Sequence, residues 1–325
     1  MTEPNPPSAT LPWPAVGLIF GAALLVSGAA TLLFGNPAAA MPALYGLIPG
    51  LLGSILAQRG QSHWPALATL AAIAVLALQP TLLALCVIGG LLTICAGIES
   101  VRSGGRACVL GLYGWLALDI MPGLPPAPVT TASACFGLMS GWLIARLTKL
   151  EGAAALPPVK PIVGLALVIF LALGLAVSLL AMGRANDQPY AYWIPLFFIL
   201  RAVAPPQHTL AAAAKFGLGA VFGCLAAFFV MLLHLPTSVT APMALLLIVG
   251  GLRYLPNPSP IAPAAFSAAT MIGAGADLAT SVFRIETALF VAFFAAALAV
   301  AVDLVLTFVG RWTNGQTAAS NSPGS

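Results

Sequence analysis

Charge is scarce in this sequence. Of 325 residues only 6% are charged, twelve Lys and Arg against eight Asp and Glu, while 60% are hydrophobic. With a mean hydropathy of +1.03, no soluble domain of this size keeps an adequately polar surface. The eight acids form no paired, Asp-rich motif that would hold a metal-bound diphosphate, and no Ser/His/Asp order is legible, so enzyme chemistry is not expected. The basic residues form no dense run, which excludes a nucleic-acid surface. Cys86, Cys95, Cys108, Cys135 and Cys224 lie in apolar stretches without metal-ligand spacing, so they read as small packing residues. His63, His208 and His234 are too scattered for a metal site. Neither a metal nor a cofactor is expected. The first eleven residues hold no Lys or Arg, and the first apolar stretch is too long for a signal-peptide core, so it is not read as a cleaved signal.

What remains is twelve hydrophobic stretches, near residues 12–34, 37–57, 63–79, 82–98, 107–120, 129–146, 161–182, 190–204, 210–232, 237–253, 260–277 and 286–309. A membrane-crossing helix needs about 20 apolar residues. The expected fold is therefore an all-α polytopic membrane protein with about 12 transmembrane helices. The third, fifth and eighth stretches are short and predict tilted, broken or re-entrant pieces. Pro-containing connections at Gln79-Pro80, Met121-Pro122, Pro157-Pro158 and Pro205-Pro206 separate the spans. Alternate connections and the C-terminal flank hold Arg59, Arg102, Arg106, Arg146, Lys149, Lys160, Arg201, Lys215, Arg253 and Arg311, and the opposite side holds Arg184 and Arg284. That asymmetry places both termini in the cytoplasm.

The chain divides as follows: a disordered cytoplasmic N-tail (1–11), a first transmembrane half (12–148), a cytoplasmic linker (149–160), a second half (161–310) and a disordered cytoplasmic C-tail (311–325). Six spans in each half return the chain to its starting side, so related halves form a parallel pseudo-repeat. Tyr45-Gly-Leu-Ile-Pro49 echoes Tyr192-Trp-Ile-Pro195, each followed by an apolar run, an Arg (Arg59, Arg201) and a Gln/His pair (Gln61 and His63; Gln207 and His208). Spans 5 and 11 each end in an acid, Asp119 and Asp277. Gly17/Gly21, Gly46/Gly50, Gly137/Gly141 and Gly219/Gly223 offer small faces for close helix packing in lipid.

Residues 190–310 carry a more specific pattern. Tyr192, Trp193, Pro195 and Leu196 open an apolar run that reaches Arg201; Lys215 follows, then a Gly219-x-x-x-Gly223 helix, and the last span opens on Arg284-Ile-Glu286-Thr287. This stretch resembles the fusaric-acid-resistance, or aromatic acid exporter, family. The resemblance implies a bacterial inner-membrane exporter of aromatic or other organic carboxylates, coupled to protons.

Ionisable groups inside a bilayer are costly and each needs a reason. Asp303, inside the last span, is either a protonatable carboxylate that couples transport or a hydrated group near the interface. Asp119 and Asp277, at outer span ends, are either a proton port or ordinary loop acids. Arg201 either grips a substrate carboxylate through its fork or snorkels to the interface, and Lys215 is its weaker companion. Tyr190, Tyr192 and Trp193, continued by Phe197 and Phe198, form either an interfacial belt or a stacking surface for an aromatic substrate. Arg284 and Glu286 are read as caps or anchors of the last span. The expected partners are the lipid bilayer, a small organic anion and protons, with a homo-oligomer or periplasmic adaptor open. A passive organic-anion channel and a transport-inactive structural membrane subunit are the rival readings.

Overall fold

The computed structural model describes residues 10–320, apart from 79–80, 154–156, 186, 204–208, 255–258 and 276. Among the described residues there is no strand. The first helix, α1 (Trp13–Phe34), starts on a proline pair and stops at Gly35, whose φ of 60° is the left-handed conformation that ends helices. Next, α2 (Pro37–Leu56) opens with a 3₁₀ turn in which the Ala38 N–H donates to the Asn36 side chain at 2.9 Å. It widens into a π segment at Ile48–Leu52, where Pro49 brings no N–H to the ladder. The remaining helices of the first half are α3 (His63–Leu76), α4 (Leu82–Ser103), α5 (Ala107–Ile120) and α6 (Ala127–Leu147). The second half holds α7 (Pro161–Arg184), α8 (Trp193–Ala202), α9 (Thr209–Leu232), α10 (Thr237–Tyr254), α11 (Ile261–Ala274) and α12 (Leu278–Ser320).

Eight of these, α1, α2, α4, α6, α7, α9, α10 and α12, are long and apolar enough to cross a membrane. The architecture is thus that of an α-helical membrane protein. The other four, α3, α5, α8 and α11, are apolar but short. At 1.5 Å per residue the 14-residue helices span about 21 Å and the ten-residue α8 about 15 Å, against about 30 Å of hydrocarbon. Shortness was expected at the third, fifth and eighth stretches; the eleventh is shorter than its sequence limits.

Burial follows length. The long helices turn large apolar side chains outward, such as Leu25, Leu32, Leu83 and Leu246, while α5 and α8 are buried along almost their whole length. A helix that ends within the depth of a bilayer leaves backbone groups unpaired, and lipid supplies no partner. Surrounding protein must supply them.

Two sets of helix pairings organise the bundle. In the first half α1 packs on α2 and α6, α2 on α6, α3 on α5 and α6, and α4 on α5. In the second half α7 packs on α8 and α12, α8 on α12, α9 on α11 and α12, and α10 on α11. The halves meet where α4 lies on α7, α5 on α8, and α1 on α10.

Three expectations about limits are corrected. The last helix begins at Leu278, eight residues before the limit read from sequence, because Asp277 caps it: the Thr280 N–H donates to Asp277 Oδ1 at 2.8 Å. Asp277 therefore does not end the eleventh helix, which stops earlier at Gly275 (φ 61°). At the other end α12 continues to Ser320 through the region assigned as a disordered tail from 311; no proline interrupts it before Pro323. Residues 1–9 and 321–325 of the two tails lie outside the described residues, as do Gln207 and His208.

Candidate functional site

The short helix α8 positions most of the candidate site. Trp193, Phe197 and Arg201 are four residues apart, so they share one stripe of the helix. All three are buried, and the Trp193 and Phe197 rings lie 6.2 Å apart at 22°. Tyr190 extends the stack, 4.5 Å from Trp193 at 19°, and Tyr192 meets Trp193 edge-on at 6.2 Å. These spacings suit aromatic attraction. On the other side of α8, Phe198 contacts Phe170 of α7 at 5.1 Å and Phe294 of α12 at 5.8 Å. Arg201 sits in the last turn of α8, where a cation is favoured by the helix dipole.

The residue that completes this cluster is one the sequence placed elsewhere. Arg284, read as an anchor of the last span, lies six residues inside α12, about 9 Å from its start. It is 5% exposed. Its guanidinium carbon lies 3.4 Å from the centre of the Phe197 ring and 4.9 Å from that of Trp193. Nη2 makes one long contact, 3.5 Å to the Ser267 hydroxyl of α11, and Nε and Nη1 have no hydrogen-bond partner among the described residues. The Tyr113 and Tyr192 phenols and the Cys224 thiol lie within its electrostatic reach. No carboxylate pairs with it among the described residues. Tyr113 of α5 in turn contacts Tyr45 of α2, ring centres 6.2 Å apart. The cluster thus gathers side chains from both halves at the α5–α8 contact. Arg284 was findable: Asp277-Leu-Ala-Thr280 reads as a cap and first turn, which puts an arginine inside the span.

The other candidates are not brought here. Lys215 is exposed on α9, so it does not join Arg201. Asp303 is also exposed. It stands 25 residues along α12, about 37 Å from Leu278 and two residues before Val305, where the apolar span ends. Of its two readings, this exposed position near the end of the span suits a hydrated group near the interface better than an interior carboxylate. Asp277 is an exposed cap held as the anion: hydrogen bonds from the Thr280 side chain and amide set its carboxyl below the usual range. Asp119 is exposed in the last turn of α5, on the rim of a cleft of about 420 Å³ lined also by Leu76, Leu118, Met121, Thr130 and Thr131. The Thr131 hydroxyl is buried there without a partner. Glu286 is exposed.

A second buried ionisable group was missed. Glu99 of α4 is 0% exposed. Its carboxylate accepts from the Ala107 N–H at 3.0 Å and the Cys108 N–H at 2.7 Å. It therefore caps the buried start of α5, where its oxygens meet the unpaired amides at the positive dipole end. Arg106 bonds the Ser100 hydroxyl at 2.7 Å and the Gly105 carbonyl at 3.1 Å. The tight Ser103-Gly-Gly-Arg106 connection brings Glu99 back to this helix start.

The glycine faces close several helix contacts. An added Cβ at Gly46 or Gly50 would overlap the carbonyl oxygens of Ala134 or Leu138, and one at Gly137 that of Ala43. Gly219 and Gly223 lie equally close to the Pro260 and Ala264 carbonyls. Gly17 and Gly21 do not follow this pattern; nothing lies within 4 Å of a Cβ at either.

The chain matches no protein-family model, no curated protein and no solved structure.

Proposed function

We propose that this chain is an exporter of aromatic or other organic carboxylic acids in a bacterial inner membrane, coupled to protons. On this reading it has twelve spans in two six-helix halves, with both termini cytoplasmic. The observation that carries the proposal is α8 itself: a short buried helix at the junction of the halves that presents stacked rings and Arg201 on one stripe. Transporter sites commonly lie between repeats on interrupted helices, and a buried guanidinium beside rings suits an aromatic acid.

The packing supports two equivalent halves. Each main pairing within α7–α12 recurs six helices earlier within α1–α6, and the two edge contacts, α4 on α7 and α1 on α10, exchange when the halves are exchanged. Six helices per half give a parallel repeat. The one-sided Lys and Arg distribution supports cytoplasmic termini. Residues 190–310 supply the family likeness.

In this mechanism the substrate carboxylate is drawn to Arg201 and its ring to the α8 stack, and the halves rock to expose the site outward. Of the three acids proposed for coupling, Asp119 lines a recess. The positions of Asp303 and Asp277 favour, as a second reading, a passive anion channel that needs no protonatable acid.

The test is benzoate flux in proteoliposomes with an imposed pH gradient. Wild type should accumulate benzoate against its gradient. Arg201→Ala should weaken apparent affinity roughly ten- to hundredfold, the worth of a charge-assisted hydrogen bond, and Tyr192→Ala should also impair flux. Asp119→Asn should abolish uphill accumulation in an exporter and leave it absent in a channel, with downhill flux kept in both. No benzoate flux in wild type sinks both readings in favour of a structural subunit.

A further inference from the structure

Burying an unpaired cation inside a membrane bundle is unfavourable, and such a charge is normally matched by a carboxylate or by carbonyl oxygens. Arg284 has neither among the described residues. Its contacts are with rings: the guanidinium carbon lies over Phe197 at 3.4 Å and over Trp193 at 4.9 Å. Rings supply no acceptor oxygen, so these contacts leave the N–H groups of the fork to find partners elsewhere. Nε and Nη1 are buried and unbonded and Nη2 has one contact at the 3.5 Å limit, so neither donor edge is satisfied among the described residues. The group that would close an edge is planar, anionic and bears two acceptor oxygens. The Ser267 hydroxyl stands at Nη2, and the Tyr113 and Tyr192 phenols lie within electrostatic range of the guanidinium.

We infer that Arg284 is the anion-holding group of an internal binding site, taking the carboxylate of an organic monoanion on the free N–H groups of its guanidinium while Phe197 and Trp193 pack against it. This deepens the transport reading and rests on it for its physiological meaning. It differs in naming Arg284, on α12, rather than Arg201, as the primary contact. Phe197 belongs to both: Arg284 of α12 lies over its ring, and Arg201 follows it one helical turn later on α8.

The distinction has a chemical consequence. Lysine keeps the charge but loses both the planar fork and the stacking. A purely structural arginine, in contrast, would be missed for its packing and not for a ligand. Trp193 is a built-in reporter beside the site.

The experiment titrates the full-length protein in nanodiscs with benzoate, benzyl alcohol and acetate, reading tryptophan fluorescence and calorimetric heat. Wild type should bind benzoate saturably, with benzyl alcohol weaker by about tenfold or more, the cost of losing a charged partner. Arg284→Lys should weaken benzoate by about tenfold or more. Arg284→Met should bind benzoate no better than benzyl alcohol and melt no lower than wild type, because it removes a buried charge without orphaning a partner. Equal binding of benzoate and benzyl alcohol by wild type, or unchanged benzoate affinity in Arg284→Lys, overturns the inference. That wild-type comparison needs no variant to fold. Benzoate binding lost in Arg201→Ala but kept in Arg284→Lys also overturns it and leaves the transport reading standing. Binding through Arg284 with no flux in proteoliposomes supports the site and removes the transport reading.

Discussion

At the scale of single residues, the fold uses acids in two ways that the sequence alone does not separate. Glu99 and Asp277 cap helices, and Glu151 ties two connections together. The Glu151 carboxylate accepts from the Ser62 hydroxyl and from the Gly60 N–H at 3.1 Å, and lies 3.8 Å from Arg146 Nε. The neighbouring Gly152 N–H donates to the Ser54 carbonyl at 3.1 Å. Burial alone would push the Glu151 carboxyl up, but these donors and Arg146 outweigh it and set it below its ordinary value of 4.5. A carboxyl with a lowered folded value stabilises the fold above its unfolded value and ceases to do so as pH falls through the folded one. Amide exchange at Gly60 and Gly152, corrected for intrinsic rates, should therefore be slow at neutral pH and accelerate as pH drops below about 4.5. Glu151→Gln should flatten that dependence. A pH-independent profile in wild type would show that the junction is held by the backbone bonds and not by the carboxylate.

At the scale of elements, helix pairs that recur six helices apart in the chain are packed in opposite ways. Backbone touches backbone at the α2–α6 contact through Gly46, Gly50 and Gly137. Its counterpart, α8 on α12, is filled by Trp193, Phe197, Phe198, Phe294 and Arg284. One half is zipped shut where the other holds rings and charge. Gly46→Leu should thus overpack α2 against α6 and cost at least 1–3 kcal/mol, the usual range for overpacking, with a correspondingly lower melting temperature in detergent. Gly17→Leu, on an open face of α1, should stay within about 0.5 kcal/mol or gain slightly from helix propensity. Equal losses would show that the glycine contacts do not set stability. The same contrast explains what was legible. Twelve apolar stretches and their order were readable, because hydropathy follows the solvent. So was the shortness of the third, fifth and eighth, because Pro and Gly punctuate the chain. The α8 aromatics were readable as a group. Lys215 and Asp303 were not separable from site residues by sequence, since which side of a helix faces inward depends on neighbours when all sides are apolar. Arg284 was misplaced by a helix start read eight residues late. Glu99 was missed because its partners are backbone amides, which carry no side-chain signature.

At the scale of the whole molecule, the two edges between the halves are built unequally. Along α4–α7, Gly97 and Gly164 face each other: a Cβ on either would stand 3.0 Å from the other's carbonyl oxygen and overlap Val168 or Val101. The Val159 N–H adds a bond to the Ser100 carbonyl at 3.1 Å. Such a crossing leaves little room to separate but allows rotation about the point of contact. Along α1–α10 the tie sits at one end. The Leu11 N–H donates to the Arg253 carbonyl at 2.9 Å, and the Arg253 guanidinium lies 4.4 Å from the Trp13 ring centre. Gly17, Gly21, Gly28 and Gly250 on these two helices meet nothing within 4 Å of an added Cβ. If the halves rock, the tight edge is the pivot and the clasped edge is the one that opens. Spin labels at Leu25 and Leu246, exposed on α1 and α10, should therefore give a broad or two-peaked distance distribution in nanodiscs, while labels at Ile98 and Leu165 on α4 and α7 should give one narrow peak. Trp13→Ala removes the ring from the clasp. An exposed cation–π contact contributes about 0.5–1 kcal/mol, so the open population at the α1–α10 edge should rise roughly two- to fivefold. A single narrow distribution at both edges, unmoved by Trp13→Ala, would describe a rigid bundle, and rocking could not then be how this protein exposes its interior.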